Sequence, residues 1–151
     1  MSPWTALLES LHSALIDELI ERHPEPKPEL GMPQRHRQLA MPAPGTLSAV
    51  ICEVSFALAQ PTAASSEARG FALIAIDDAC IKELKLDAAQ LWNALLKRAG
   101  REFGFRGIQP RLGDLRDLKS AALPPGFAEP VRVIWIPFKL GAGACYLGVG
   151  A

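Results

Sequence analysis

The sequence has 151 residues, of which 49% are apolar and 21% charged, a balance typical of a globular protein and not of a disordered one. This length fits one domain with its own core, expected over residues 1–151. The sixteen basic and sixteen acidic residues cancel, which argues against nucleic acid or an anionic membrane as a partner. No apolar run approaches the roughly 20 residues that span a bilayer. The N-terminus also lacks the basic segment of a signal peptide, so a cytoplasmic protein is expected.

The N-terminal helix is predicted over residues 1–23. Ser2 and Pro3 suit the N-cap and first helical positions, and leucines recur behind them at three- and four-residue spacing. Glu18 is expected on the outward face. His12 and His23 are interpreted as half-exposed surface side chains.

Residues 24–45 contain six prolines and predict an extended surface connector, because proline blocks both helices and central strands. It is not a domain boundary, since a lone preceding helix cannot bury its own apolar face. The connector contains the basic cluster Arg35-His36-Arg37. That cluster is either a solvated loop or a contact for an anion or an acidic partner.

Two strands follow the connector. Residues 47–60 alternate between an apolar and a mixed face, and residues 70–76 are apolar on both faces, so the second strand is expected to be central. They pair naturally as an antiparallel hairpin. Asp77 and Asp78 then precede a short helix at residues 79–86. They are interpreted as helix caps, with a cation or acid/base site as the alternative.

The strongest helix signal runs over residues 86–107. Asp87 is a good N-cap, Gln90 completes a capping box, and Gly104 is expected to end the helix. Six residues share one apolar stripe at helical spacing: Leu91, Trp92, Leu95, Leu96, Ala99 and Phe103.

A polar face lies opposite this stripe. At about 100° per residue, Gln90, Asn93, Lys97 and Arg101 fall together on the side that must meet water or a partner.

Beyond this helix, residues 105–112 are either a short strand or irregular, residues 113–120 predict one helical turn, and residues 121–130 predict a loop. Two strands are then predicted at residues 131–140 and 144–149. The glycine-rich turn between them suits a hairpin, and a proline inside the first strand indicates an edge position or a bulge.

Together these elements predict an α+β fold. Its sheet is mostly antiparallel and made of two hairpins, with the N-terminal and central helices packed on it.

Three cysteines, Cys52, Cys80 and Cys145, are widely spaced and odd in number. No C-x-x-C pair occurs and no histidine lies near them in sequence, so the sequence predicts no local metal site and no cofactor. Reduced, buried thiols are the favoured interpretation, and disulfide or metal roles are the alternatives.

The element order and the polar face of the central helix resemble the CheC/CheX-like chemotaxis phosphatases. Members of that family remove the phosphoryl group from the aspartate of a response regulator. Their mark is a Glu-x-x-Asn pair on a helix, in which the acid docks the partner and the amide places the attacking water. The matching residues here are Gln90 and Asn93. The resemblance thus implies a response-regulator or other signalling partner, with Asn93 and Gln90 as catalytic candidates and Lys97 and Arg101 as partner-binding candidates.

Three functions remain open. The first is a non-catalytic regulatory module, because the sequence contains no catalytic constellation of residues. That module is expected to be a homodimer, since the apolar strands near the C-terminus need a covered edge. The second is a phospho-aspartate phosphatase acting through Asn93. The third is a small-ligand binder, and its expected pocket residues are Trp92, Trp135, Phe138 and Tyr146.

Overall fold

The computed structural model describes residues 3–25, 27–36, 47–57, 67–118 and 132–151. Its helices are α1 (Pro3–Arg22), α2 (Asp78–Leu84) and α3 (Ala88–Phe105). Its strands are β1 (Glu29–Leu30), β2 (Gln34–His36), β3 (Leu47–Ala57), β4 (Glu67–Asp77), β5 (Arg111–Asp117), β6 (Val133–Leu140) and β7 (Gly143–Gly150).

The seven strands form one sheet in the order β1-β6-β7-β4-β3-β5, with β2 also paired to β6. Every pairing is antiparallel. The predicted hairpins β3-β4 and β6-β7 are both present, and β4 joins them by pairing with β7. The predicted α+β class and two-hairpin sheet are therefore confirmed.

Strand β4 shows why the sheet is apolar on both sides. Its side chains alternate between two buried clusters, with Ile74 and Ile76 on the helix side and Phe71 and Leu73 on the other. All four are 0% exposed. The predicted central position of this strand is confirmed, because it lies between β3 and β7.

Helices α1 and α3 pack on one face of the sheet and against each other. Ion pairs join Glu18 to Arg98 at 2.5 Å and Glu9 to Arg106 at 2.7 Å. Because the residue numbers run in opposite directions across these pairs, the two helices are antiparallel.

The helical turn predicted for residues 113–120 is wrong, because β5 occupies most of it. Leu112 and Leu115 are three residues apart, a helical spacing, yet they lie opposite Val54 and Cys52, which are only two apart. A bulge in β5 absorbs the additional residue and turns both leucines toward the helix side. Phe105 is the last residue of α3, and residues 106–110 form no regular helix or strand. The loop predicted at residues 121–130 lies outside the described residues.

The part of the proline-rich connector that the structure describes, up to residue 36, contains two short strands that were not predicted, because β1 and β2 pair with β6. Gly31 lies between these two strands and donates its N–H to the carbonyl of Pro137 at 2.8 Å. A Cβ at Gly31 would lie 2.4 Å from the Pro137 ring. Pro137 thus lies opposite the break between β1 and β2. Because no described strand pairs with β6 on that side at this position, the missing N–H of Pro137 removes no hydrogen bond from the sheet.

Candidate functional site

The start of α3 is fixed by a complete capping box. The Asp87 carboxylate accepts from the Gln90 N–H at 2.8 Å, and the Gln90 side-chain oxygen accepts from the Asp87 N–H at 2.9 Å. The side chain of Gln90 is exposed but already committed to this reciprocal pair.

The end of α3 differs from the prediction. Gly104 lies inside the helix, and the left-handed residue is Gly107, with φ of +69°. The Gly107 N–H bonds to the Gly104 carbonyl at 3.2 Å and the Ile108 N–H to the Phe103 carbonyl at 3.0 Å. These two bonds form a Schellman motif, which satisfies carbonyls that the helix end leaves open.

All four residues of the predicted polar face are exposed: Gln90, Asn93, Lys97 and Arg101. The opposite stripe is buried against the sheet and α1, as the spacing predicts. Asn93 makes no hydrogen bond with any other described side chain. The structure thus presents one free amide and two cations along about three turns of a rigid helix.

Two glycines lie on the same exposed side as Asn93. Gly100 and Gly104 follow it by seven and eleven residues, and both are exposed. A Cβ at either glycine would have nothing within 4 Å. Packing among the described residues therefore does not require glycine at these positions, although each glycine costs helix stability.

A groove of about 580 Å³ lies between α1 and α3, and Lys97 and Arg101 line it. Asn93 is not among its lining residues. Phe105 also lines the groove and is 86% exposed. The groove therefore joins two partner-binding candidates to an exposed aromatic ring, and Asn93 lies outside it on the same helix face.

Glu18 lines this groove, and its predicted outward position is wrong. It is only 7% exposed and bonds to both Arg22, at 2.6 Å, and Arg98, at 2.5 Å. Burial alone would raise the pKa of this carboxyl, but the hydrogen bonds from Arg98 and Arg22 outweigh it and lower the pKa. Its seven-residue spacing from Leu11 places it on the apolar stripe, which is the signal that could have revealed it.

Asp77 acts as the predicted cap of α2. One carboxylate oxygen accepts from the Cys80 N–H at 2.8 Å, and the other accepts from the Ala144 N–H at 3.0 Å. Both oxygens are therefore used in joining α2 to β7. Within the described ranges, no group of three or more His, Cys, Asp or Glu side chains could hold a metal ion.

The three cysteines are buried free thiols, as the favoured interpretation predicts. Burial raises the pKa of Cys52 to about 11. A hydrogen bond with Cys80, together with burial, raises the pKa of Cys145 well above its ordinary value. Cys52 and Cys145 are therefore protonated at neutral pH and are poor nucleophiles.

The aromatic pocket predicted for a small ligand does not exist as one site. Trp92 and Phe138 belong to the cluster on the helix side of the sheet, whereas Trp135 and Tyr146 belong to the cluster on the other side. The alternation of β6 separates Trp135 from Phe138, because residues three apart in a strand face opposite ways.

By sequence, the chain matches no protein-family model and no curated protein. By structure, it is similar to chemotaxis protein CheX of Vibrio vulnificus, with a TM-score of 0.63 and 14% identity over 95% of this chain and 97% of that one. A CheC-like superfamily protein of Shewanella sp. PV-4 gives a TM-score of 0.62 and 14% identity over 96% of both chains.

A third similar structure is the CheX-CheY-BeF3-Mg²⁺ complex of Borrelia burgdorferi, with a TM-score of 0.50 and 12% identity over 97% of this chain and 95% of that one. The chain therefore has a CheC/CheX-like fold. No helix in the described part of the chain is long and apolar enough to cross a membrane.

Proposed function

We propose that this chain is a cytoplasmic, non-catalytic regulatory module of chemotaxis-type signalling. It docks a response regulator on the exposed face of α3. The observation that carries the proposal is this face itself, which presents Asn93, Lys97 and Arg101 with two glycines that the fold does not need. The fold supports the class of partner, because the similar CheX of Borrelia burgdorferi occurs in a complex with CheY.

Charge supports docking at this face. Lys97 and Arg101 are exposed and form no ion pair with the other described residues, whereas the neighbouring Arg98 pairs with Glu18 and Glu21. Two unpaired cations at a rim attract an acidic partner surface and raise its association rate. The partner that fits is a protein with carboxylates around its docking face.

The glycines support a close approach. Neither glycine places a side chain on the strip of α3 beside Asn93. A partner backbone or helix can therefore approach α3 more closely at Gly100 and Gly104 than it could if these positions carried any other residue. This arrangement favours a protein partner over a small molecule, because a convex helix face does not enclose a ligand.

The absence of an acid at position 90 supports the non-catalytic form. Gln90 is neutral, and its side chain is held by the backbone of Asp87. It therefore does not offer the charge that the acid of the Glu-x-x-Asn pair supplies in the family this chain resembles.

Binding to a response regulator of the same organism tests the proposal, with the regulator loaded with BeF3⁻ and Mg²⁺. We expect the Lys97→Ala/Arg101→Ala variant to bind about tenfold more weakly, mainly through slower association. A matched variant, Lys82→Ala/Lys139→Ala, removes two exposed lysines elsewhere and should bind as the wild type does. Equal weakening in both variants would show a general charge effect and contradict docking at this face.

A second candidate function is dephosphorylation of the bound regulator through Asn93. It is favoured by one observation, the exposure of an amide that is free of hydrogen bonds to other described side chains. If it is correct, Asn93→Ala should slow dephosphorylation about a hundredfold, because positioning groups contribute on that order. Gln109→Ala removes another exposed amide and serves as the control. No activity in the wild type would reject this candidate and leave the docking proposal standing.

Homodimerisation remains part of the proposal, but its original reason does not hold. Strand β7 is interior, and β1 and β2 cover the outer side of β6. Among the described strands, both edges of the sheet are exposed, and β5 offers a longer edge for pairing than the two- and three-residue strands β1 and β2. Light scattering should give twice the monomer mass, and a strict monomer at working concentration would remove this part of the proposal.

A further inference from the structure

A second groove, of about 490 Å³, lies beside the first two turns of α1. Its apolar floor consists of Trp4 and Leu8 from the helix and Ile134 and Val149 from the sheet. Trp4 is held by an edge-on contact with Phe56, with ring centroids 5.0 Å apart. The volume falls within the range that small-molecule sites usually have.

Two arginines are the only charged side chains among the described residues that line this groove: Arg35 on β2 and Arg132 just before β6. Both are exposed, and neither forms an ion pair with another described residue. In contrast, the cations in the groove between α1 and α3 stand beside Asp17, Glu18 and Glu102. The second groove therefore combines an apolar floor with two arginine side chains that form no ion pair with the other described residues.

The strand register brings the two arginines to the same site. Arg35 lies opposite Ile134, and Arg132 precedes Ile134 by two residues, so all three share one face of the sheet. Such a diagonal pair is about 7–8 Å apart at the backbone, close enough for two guanidinium groups to meet on one anion.

The backbone that carries both arginines is held firmly. Arg132 exchanges two hydrogen bonds with Ala151, at 3.1 and 3.0 Å, which extend the ladder beyond β6. Arg35 lies in the middle of β2, whose approach to β6 is fixed by the Gly31 contact with Pro137. A pair of cations preorganised in this way loses less entropy when it binds an anion.

We propose that this groove binds a small amphipathic acid, with one carboxylate between Arg35 and Arg132 and an unbranched apolar body over Trp4, Leu8 and Val149. The apolar floor selects the body, and the arginine pair selects the head. This groove lies at the N-terminal end of α1. Lys97 and Arg101 on the docking face of α3 lie beside the C-terminal end of α1. The proposal is therefore independent of the docking function.

Titration with alkanoates below their micelle concentrations tests the proposal. Trp4 is the only tryptophan that is not fully buried, since Trp92 and Trp135 are 2% and 1% exposed. Binding should protect Trp4 from quenching by acrylamide. Affinity should rise about fourfold for each added methylene from hexanoate to decanoate, as expected for burial of an alkyl chain. Neutral decanol and cationic decyltrimethylammonium should bind far more weakly.

Calorimetry on variants completes the test. Arg35→Ala/Arg132→Ala should weaken decanoate binding at least tenfold, because it removes charge-assisted hydrogen bonds. Lys82→Ala/Lys139→Ala removes the same charge elsewhere and should bind normally. Thr5→Phe fills the groove from an exposed helix position and should abolish binding while α1 stays folded.

Three results would overturn the proposal: no saturable binding, equal affinity for decanoate and decanol, or unchanged affinity in both groove variants. A peptide with an apolar C-terminus that binds where free alkanoates do not would also overturn it, and would assign the groove to a protein partner.

Discussion

Glu18 is the residue on which the α1–α3 contact depends most. Its carboxylate is 7% exposed and accepts from two arginines on different helices. If the carboxylate is removed, Arg22 and Arg98 lose their shared buried partner, and Arg98 keeps only its ion pair with the exposed Glu21.

We expect Glu18→Ala to lower the free energy of unfolding by about 1–3 kcal/mol, a range reduced because both arginines are partly exposed. Urea unfolding measures this change. Asp17→Ala, at an exposed neighbouring position, is the matched control and should change stability by less than about 0.5 kcal/mol. Equal effects from the two variants would contradict the central role of Glu18.

Burial of His12 makes the stability of the protein depend on pH. Its Nε2 atom is buried without a hydrogen-bond partner in the described part of the chain, and its ring lies 5.7 Å from that of Phe138. Burial lowers the pKa of His12 below its ordinary value of 6.5. The unfolded chain therefore takes up a proton before the folded chain does, and stability falls as the pH drops below about 6.5.

We expect His12→Leu to flatten this loss of stability between about pH 7 and the lower pKa of the folded state. Unfolding curves for wild type and variant at several pH values measure the difference. His23→Gln changes a histidine near Glu83 and should leave the His12 contribution in place. A wild-type curve parallel to that of His12→Leu would show that His12 does not titrate in this way.

Among the elements, α3 is where stability and partner binding oppose each other. Gly100 and Gly104 weaken the helix, and no described residue occupies the space that a methyl group would fill. The double variant Gly100→Ala/Gly104→Ala should raise the free energy of unfolding by about 1–2 kcal/mol. It should also weaken binding of the response regulator, because two methyl groups would then stand on the docking strip.

Gly107→Ala is the control, since its φ of +69° should make alanine destabilising by about 1–2 kcal/mol without touching the strip. A double variant that is more stable and binds the regulator normally would show that the partner does not contact the strip.

A substitution at the start of α3 tests whether phosphatase activity can be added to this protein. A capping box accepts glutamate as well as glutamine at its third position, so Gln90→Glu should keep the helix start intact and change stability by less than about 1 kcal/mol. We expect this variant to gain measurable dephosphorylation of the regulator, because an acid then stands one turn before Asn93. Thermal unfolding and phosphate release measure the two effects.

Adding Asn93→Ala to the Gln90→Glu variant should remove the activity again. If Gln90→Glu folds but stays inactive, the geometry of this face suits docking and not the placement of water.

The same helix shows what can be predicted from a sequence and what cannot. The capping box, the stripe and the exposed face of α3 follow from local spacing, and all three are confirmed. The secondary structure of β5 was not predictable from local spacing, because its leucines fit a strand only through a bulge against β3. Strands β1 and β2 were missed for a related reason, since their pairing partner β6 lies about a hundred residues later in the chain.

At the scale of the whole molecule, some candidate residues could be predicted from local spacing and others depend on long-range strand pairing. The exposure of Asn93, Lys97 and Arg101 follows from the helix period alone. The groove with Arg35 and Arg132 requires the register between β2 and β6, which no local pattern encodes. The predicted aromatic pocket was wrong because four residues of one chemical type were grouped without knowing which face of the sheet each occupies.

The pairing of the first and last parts of the chain has a consequence for the order of folding. Helix α1 is bound through Glu9 to Arg106 and through Glu18 to Arg98, and β1 and β2 are bound to β6. The leucine stripe of α1 shares a buried cluster with β3 and β4, but its packing is complete only when α3 is also in place. The connector strands must wait for β6 still longer. Closing such long loops is slow, so we expect the packing of α1 against α3 and the pairing of β1 and β2 with β6 to form late in folding.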